Sequence, residues 1–302
     1  MNRASIDLGS NSLLLTVLDA QGRVLHDEAR VVGLGRGLGD GGRFRPDRVA
    51  LAREVLRDYA RVAAGHGVAA GDIAAVATSG ARRTSDAEAL FASIEADFGL
   101  KIRTISGDEE AVLSFRGALR GLDTPPGERM VIDLGGGSTE VVLGIDRPEW
   151  RISLEIGSVR LTERFLGERD YAADDIQRLR EHVELAIAPV REALGQRPAP
   201  GSAISVAGTA TTLAAIDLGL ERYDGARVHG HALTLAALTR IAAQLAVAGP
   251  AQRRQIAAVS AERADFLLAG ATVIGALLSA AGLPHTRVSD GGLRFGILAP
   301  TP

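Results

Sequence analysis

Two short segments place an aspartate at the end of an apolar run and directly before a glycine turn: Ser5-Ile6-Asp7-Leu8-Gly9-Ser10-Asn11-Ser12 and Val131-Ile132-Asp133-Leu134-Gly135-Gly136-Gly137-Ser138. A strand that ends this way and turns tightly into the next sets a carboxylate beside a row of backbone N–H groups. Those groups, at Gly9, Ser10, Asn11 and Ser12 and again at Gly135, Gly136, Gly137 and Ser138, form a nest for phosphate oxygens, and the aspartate can hold a cation that phosphate also needs. Glycine serves there because a side chain would block close approach of the backbone. A single turn of this kind is also what a hairpin uses, so the repetition is what points to function. A third turn, Ser205-Val206-Ala207-Gly208-Thr209-Ala210-Thr211-Thr212, leaves a strand and enters a helix, and offers the amides of Gly208 and Thr209 to an anion.

Other chemistries are excluded by residue type. The chain has no cysteine, which removes disulfides, thiolate nucleophiles and zinc–cysteine sites. Lys101 is the lone lysine among 34 basic residues, the rest being arginine, and no Gly-Lys-Ser/Thr occurs. A Walker-type loop is therefore absent, and phosphate binding must use amides, hydroxyls, arginine and metal. Net charge is −3 with a pI near 6.1, so the mean field draws in no polyanion and a nucleic-acid partner is not expected. The run Gly33-Leu34-Gly35-Arg36-Gly37-Leu38-Gly39 has the look of a dinucleotide loop but continues through Gly41-Gly42 to Arg45-Pro46 without opening a helix, and reads as a hairpin or lid.

The elements that must position these turns read as a duplication. Each Asp-Leu-Gly turn joins two β-rich runs, 4–8 to 13–18 and 130–134 to 139–145, and a third strand follows at 24–32 and at 151–156. Helical spacing then appears at 47–64, after Pro46, and at 174–194, where Ile176, Leu179, Val183, Ile187 and Val190 share a face. Further strands are expected at 73–77, 101–105, 203–207 and 286–289, and a buried helix at 264–283. The separation of the two copies is too long for a solenoid repeat and suits two α/β domains. The Gly/Pro cluster at 121–127 divides them into 1–124 and 125–302, an arrangement that leaves room for the last few residues to pack on the first domain. Hydrophobic residues at 46% and charged residues at 24% are an ordinary globular balance. Residues 1–15 lack the basic-then-apolar form of a secretory signal and no apolar run spans a bilayer, so a cytoplasmic protein with no membrane partner is expected.

Paired Asp-Gly turns followed by an Ala-Gly-Thr turn resemble the actin, sugar kinase and Hsp70 superfamily, which implies two actin-like (ribonuclease-H-like) domains around an interdomain cleft. Within it, Ile6 to Ser12, Ala77-Thr78-Ser79-Gly80-Ala81-Arg82, Ile105-Ser106-Gly107-Asp108-Glu109-Glu110-Ala111, Val131 to Glu140 and Gly157-Ser158-Val159-Arg160-Leu161-Thr162-Glu163-Arg164-Phe165 resemble, in order and spacing, the exopolyphosphatase/guanosine-pentaphosphate phosphatase family. The resemblance implies that Glu110 orients or deprotonates the attacking water, against a plain reading of Glu110 as a solvated charge in the first turn of a helix, with Glu109 in a supporting or capping place. It implies that Asp133 and Glu140 hold magnesium, with Asp7 on the same ion or its waters, and that Arg82 meets a substrate phosphate. Arg83 is a lesser candidate for the same phosphate, since consecutive residues point different ways; Arg160 matches a family position, and His229 and His231 fit a family segment of unclear role. The C-terminal Gly291-Gly292-Leu293-Arg294-Phe295-Gly296 departs from the family by carrying Phe295 where an acid is usual.

The activity implied is magnesium-dependent release of terminal orthophosphate from inorganic polyphosphate, with guanosine pentaphosphate hydrolysis as the alternative and a non-catalytic nucleotide- or polyphosphate-binding regulator as the alternative of another class. Eleven aromatic residues (Trp 1, Tyr 3, Phe 7) give little base-stacking equipment, which favours the inorganic chain. A homodimer would suit the family.

Overall fold

A computed structural model describes residues 1–38 and 42–299 of the chain. Two β-sheets organise it. The first contains β1 (Arg3–Leu8), β2 (Ser12–Leu18), β3 (Val24–Val31), β4 (Ala74–Ala77) and β5 (Ile102–Thr104) in the order β3-β2-β1-β4-β5. The second contains β6 (Arg129–Leu134), β7 (Thr139–Gly144), β8 (Pro148–Leu154), β9 (Ser202–Val206), β10 (Ala232–Thr234) and β11 (His285–Val288) in the order β10-β11-β9-β6-β7-β8. In both, an antiparallel three-stranded meander is extended by parallel strands beside its first member, β4 against β1 and β9 against β6. The duplication read from the two Asp-Leu-Gly segments is thus a duplication of sheet order.

The helices preceding the second sheet are α1 (Pro46–Gly65), α2 (Ser79–Arg82), α3 (Ala87–Phe98) and α4 (Gly107–Ala118). Pro46 opens α1, where its missing N–H costs nothing, and Val55, Leu56 and Tyr59 bury one face against the first sheet. Ser106 caps α4 by accepting from Glu109 N at 3.1 Å, and Asp108, Glu109 and Glu110 crowd the first turn, where carboxylates suit the helix dipole. After β8 come α5 (Ser158–Leu161), α6 (Ala173–Ala186), α7 (Ala188–Gly195), α8 (Ala207–Asp217), α9 (Gly225–Val228), α10 (Leu235–Val247), α11 (Pro250–Arg253), α12 (Ala261–Ala264), α13 (Leu267–Ala281) and α14 (Leu293–Leu298).

Two helices depart from the sequence expectation. The single helix at 174–194 is broken at Ile187, because Pro189 has no N–H to donate one turn back; the apolar stripe continues across the break, and this is what made one helix of it. The apolar helix at 264–283 is buried as expected but divides at Asp265, whose carboxylate accepts from Arg253 Nε at 3.0 Å.

Helix α4 and helix α14 exchange sheets. Phe115, Ala111 and Ala118 of α4 pack with Val131, Val142, Ile204 and Val206 of the second sheet. Leu293, Phe295 and Leu298 of α14 pack instead on Val76 and Leu18 of the first. Where they cross, the backbones touch: a methyl group on Gly117 would lie 1.8 Å from Gly292 O, and one on Gly296 1.8 Å from Leu113 O. Phe295 fills a buried site between Leu18 and Leu298, with the Arg120 guanidinium 4.5 Å from its ring centroid, so an apolar residue fits where the family has an acid. No helix among the described residues is long and apolar enough to cross a membrane. Gly39 and Gly41 of the glycine-rich loop lie outside the described residues.

Candidate active site

Each Asp-Leu-Gly turn is closed by the same bond, Gly9 N to Ser12 O and Gly135 N to Ser138 O, both 3.0 Å. Within the turns, the N–H groups of Ser10, Asn11, Gly136 and Gly137 donate to no backbone carbonyl among the described residues. The turns face one another: a methyl group on Gly136 would lie 3.2 Å from Asn11 Cβ. The third turn joins them at the start of α8, where Ala207 adopts φ +70° and the leading N–H groups, Gly208 and Thr209 among them, have no intrahelical partner. A left-handed alanine is strained and holds only where its surroundings fix it.

Between the turns lies a cavity of about 510 Å³. Its wall includes Asp7, Gly9, Ser10, Asn11, Ser12, Glu110, Asp133, Gly135, Gly136, Gly137, Ser138, Gly208 and Thr209. Of the residues given a catalytic, phosphate-binding or metal-holding place in the sequence, Arg82 and Glu140 are the two not on that wall; Arg82 pairs with Glu110 and comes to 3.9 Å from Glu140. Arg82 Nη1 donates to Glu110 Oε2 at 2.7 Å and to Ile105 O at 3.0 Å, while its buried Nη2 has no hydrogen-bond partner.

Strand register explains the acidic cluster. Asp133 on β6 is paired directly with Glu140 on β7, and Glu140 with Ser153 on β8, whose hydroxyl donates to Glu140 Oε1 at 2.7 Å. Residues opposite each other in an antiparallel pair share a face. In the first sheet the partner of Asp7 is Leu14, so that half carries one carboxylate and the second half two. Ser114 of α4 donates to Asp133 Oδ2.

Burial sets the protonation of these groups. It raises Glu110 to about 7, repulsion from Asp133 adds to this, and Arg82 opposes it. Asp7 is raised well above the usual carboxylate range by burial and then by Glu110 and Asp133; Glu140 is raised well above its range by the same causes; Asp133 is raised by burial against the Ser114 hydrogen bond. Asp7 Oδ1 and Glu140 Oε2 have no hydrogen-bond partner. Four converging carboxylates cannot all ionise in such a place without a cation. Among the described residues no three acidic or histidine side chains form a chelating group, so a cation here would take water and phosphate oxygens as well, the habit of magnesium.

The matching family model, the Ppx/GppA phosphatase family, spans residues 17–300. The chain belongs to the Ppx/GppA phosphatase family. It is 34% identical to Exopolyphosphatase 2 of Mycobacterium tuberculosis, over 97% of this chain and 96% of that protein. Among solved structures it is similar to the Aquifex aeolicus PPX-GPPA enzyme (31% identity, TM-score 0.82, covering 99% of this chain and 98% of that one) and to an exopolyphosphatase from Cytophaga hutchinsonii (26% identity, TM-score 0.91, 99% and 96%). The α/β fold with two sheets of like order, expected from the repeated glycine turns, is the fold this chain shares with those Ppx/GppA structures.

Several residues around the Ppx/GppA cleft were not singled out in the sequence. Arg263, after α11, reaches across the cleft, where Nη2 donates to Ser12 Oγ at 2.9 Å and Nη1 occupies the space a methyl group on Gly208 would need. It lines the cavity, its charge disfavoured by burial, and it makes no ion pair with a described carboxylate. In a chain this rich in arginine nothing local distinguishes it. Arg294 forms a bidentate pair with Asp27, both bonds 2.8 Å, and ties α14 to β3. Ser114 and Ser153, which hold Asp133 and Glu140, were likewise missed; the hairpin register would have found Ser153. Other candidates turn away. Glu109 pairs with Arg103 on the surface, Arg83 donates to Leu38 O, and Arg160 pairs with Glu155. His229 accepts from Asp290 N at 3.2 Å while His231 meets Asp217 at 2.9 Å, each in its own structural contact.

Proposed function

We propose that this protein is an exopolyphosphatase that removes terminal orthophosphate from inorganic polyphosphate by in-line attack of water. The observation that carries the reading is Glu110. Its carboxylate is buried at a cleft wall, pushed to about 7, and faces two glycine turns with unengaged amides. A base with that affinity can take a proton at neutral pH.

Phosphate oxygens of the chain end lie against the N–H groups of Ser10, Asn11, Gly136 and Gly137 and the first turn of α8, with Arg263 supplying a planar donor set. Glu110 accepts the proton of the attacking water, the new P–O bond forms, and the bridging P–O bond breaks with its electron pair going to the shortened chain. Arg82 keeps Glu110 oriented and partly ionised. Asp133 and Glu140 are the residues that would hold magnesium, with Asp7 on the same ion or its waters, and the ion would supply charge neutralisation at the phosphoryl oxygens. Most of the catalytic effect is then positioning and fixed electrostatics.

The two bodies that close on substrate are proposed as 1–124 and 125–302, apart from α4 and α14, each packed on the other body's sheet. A cytoplasmic site of action is part of the proposal, supported by the cysteine-free sequence. The test is phosphate release from long-chain polyphosphate and from guanosine pentaphosphate, compared by kcat/KM with magnesium present. Higher specificity for polyphosphate is expected; equal or better specificity for the guanosine nucleotide would overturn the substrate and leave the chemistry.

A further inference from the structure

Ser79 has a hydroxyl that the fold does not use. It is 2% exposed, its Oγ has no hydrogen-bond partner, and it lines the cavity. Ser10, 8% exposed on the first glycine turn, is in the same condition. The two come from separate segments, one from the β1–β2 turn and one from the start of α2, yet they converge. A methyl group on Gly137, in the facing turn, would lie 2.8 Å from Ser10 Oγ and 2.8 Å from Ser79 Oγ. Other hydroxyls of the cleft are committed to protein: Ser12 to Arg263, Ser114 to Asp133, Thr212 to Gly208 O at 2.6 Å.

A buried hydroxyl without a partner carries a desolvation cost, so two of them on the wall of one cavity, beside the same glycine, call for an acceptor that arrives with a ligand. Gly137, having no side chain, lets both hydroxyls approach its backbone closely in the facing turn. A tetrahedral phosphoryl group in that cavity suits them, since its several acceptor oxygens can take the two hydroxyls together with the Gly136 and Gly137 amides and so join the two sheets.

We propose that Ser79, with Ser10, is a substrate-contacting residue that donates to the terminal phosphoryl group, and that the same contacts hold the orthophosphate product. This rests on the phosphohydrolase reading above for its ligand, and on unpartnered, convergent hydroxyls for its location. The pair reports closure, since the first sheet supplies the hydroxyls and the second supplies the facing amides.

The experiment measures two quantities for wild type, Ser79→Ala, Ser10→Ala and Ser202→Ala: the dissociation constant of inorganic orthophosphate by calorimetry with magnesium present, and kcat/KM on long-chain polyphosphate. Ser202 is the control, also buried and unpartnered but paired with Arg129 at the far end of β9 from the site. Losing a hydrogen bond to a charged group weakens binding about tenfold or more. Ser79→Ala and Ser10→Ala are each expected to lose that much in both quantities while Ser202→Ala stays within twofold. A folded Ser79→Ala within twofold of wild type in both measurements overturns the inference and leaves the hydrolase reading standing. If wild type binds orthophosphate but turns over no polyphosphate, the activity reading fails, and the Ser79 dependence of orthophosphate binding alone decides the inference.

Discussion

Arg82 Nη1 lies 2.7 Å from Glu110 Oε2, and the same guanidinium comes to 3.9 Å from Glu140 Oε1. One arginine therefore stands beside both the proposed base and a proposed metal carboxylate. Burial drives Glu110 upward and Arg82 pulls it down, with about 7 as the balance. Removing Arg82, or adding a cation beside Asp133, moves that balance in opposite directions.

The rate profile should show it. With limiting magnesium, kcat/KM should fall as pH drops through about 7, because protonated Glu110 cannot accept a proton. Saturating magnesium should carry this acid limb to lower pH, and Arg82→Ala should carry it higher. Profiles at two magnesium concentrations check this, and a limb that ignores both changes would remove Glu110 as the titrating group.

Stability gives an independent reading of the same carboxylate. Glu110 holds its proton more tightly folded than at the ordinary glutamate value of 4.5, so the folded state binds more protons between about 4.5 and about 7. Its contribution is therefore fully present below 4.5 and lost as pH rises through about 7. In chelator, wild type should lose stability relative to Glu110→Gln across that window, and added magnesium should restore it. Denaturant melts at pH 5 and 8 measure the difference; a gap that does not grow with pH contradicts it.

Asp133→Asn and Glu140→Gln should each raise the magnesium concentration needed for half-maximal rate. Hard oxygen ligands paired across β6 and β7 are the reason. A magnesium titration decides, and full activity of wild type in excess chelator would take the metal out of the account.

Arg263→Ala should lower kcat/KM about ten- to a hundredfold, since a buried guanidinium with no carboxylate partner is available to phosphate. Its stability should change little for the same reason. Steady-state kinetics beside a thermal melt separates this from a structural role, for which the melt would shift and the kinetics would not.

What could be read from the chain beforehand follows from where the information sits. The glycine turns, Asp7 and Asp133 were legible because a tight turn leaves its requirement in a few adjacent residues, repeated in two places. Glu140 was reached through the family resemblance, and the hairpin register that sets it opposite Asp133 comes from the structure. Arg263 was not: its position depends on how α11 and α12 pack against a cleft made from residues far away in sequence. The split at Ile187 had its signal in Pro189, masked by an apolar period that both helices obey. The exchange of α4 and α14 between sheets left only glycines at 117, 292 and 296, whose closeness no local pattern encodes.

The central claim is that Glu110 activates the attacking water, and the turnover number of Glu110→Gln on polyphosphate tests it most directly. Glutamine keeps the size and most hydrogen bonding but removes the basic oxygen, and loss of a general base costs about 10²–10⁴-fold in rate. The account predicts a folded protein that still binds polyphosphate and whose kcat falls by that order. A folded Glu110→Gln protein turning over polyphosphate within a few-fold of wild type would contradict it.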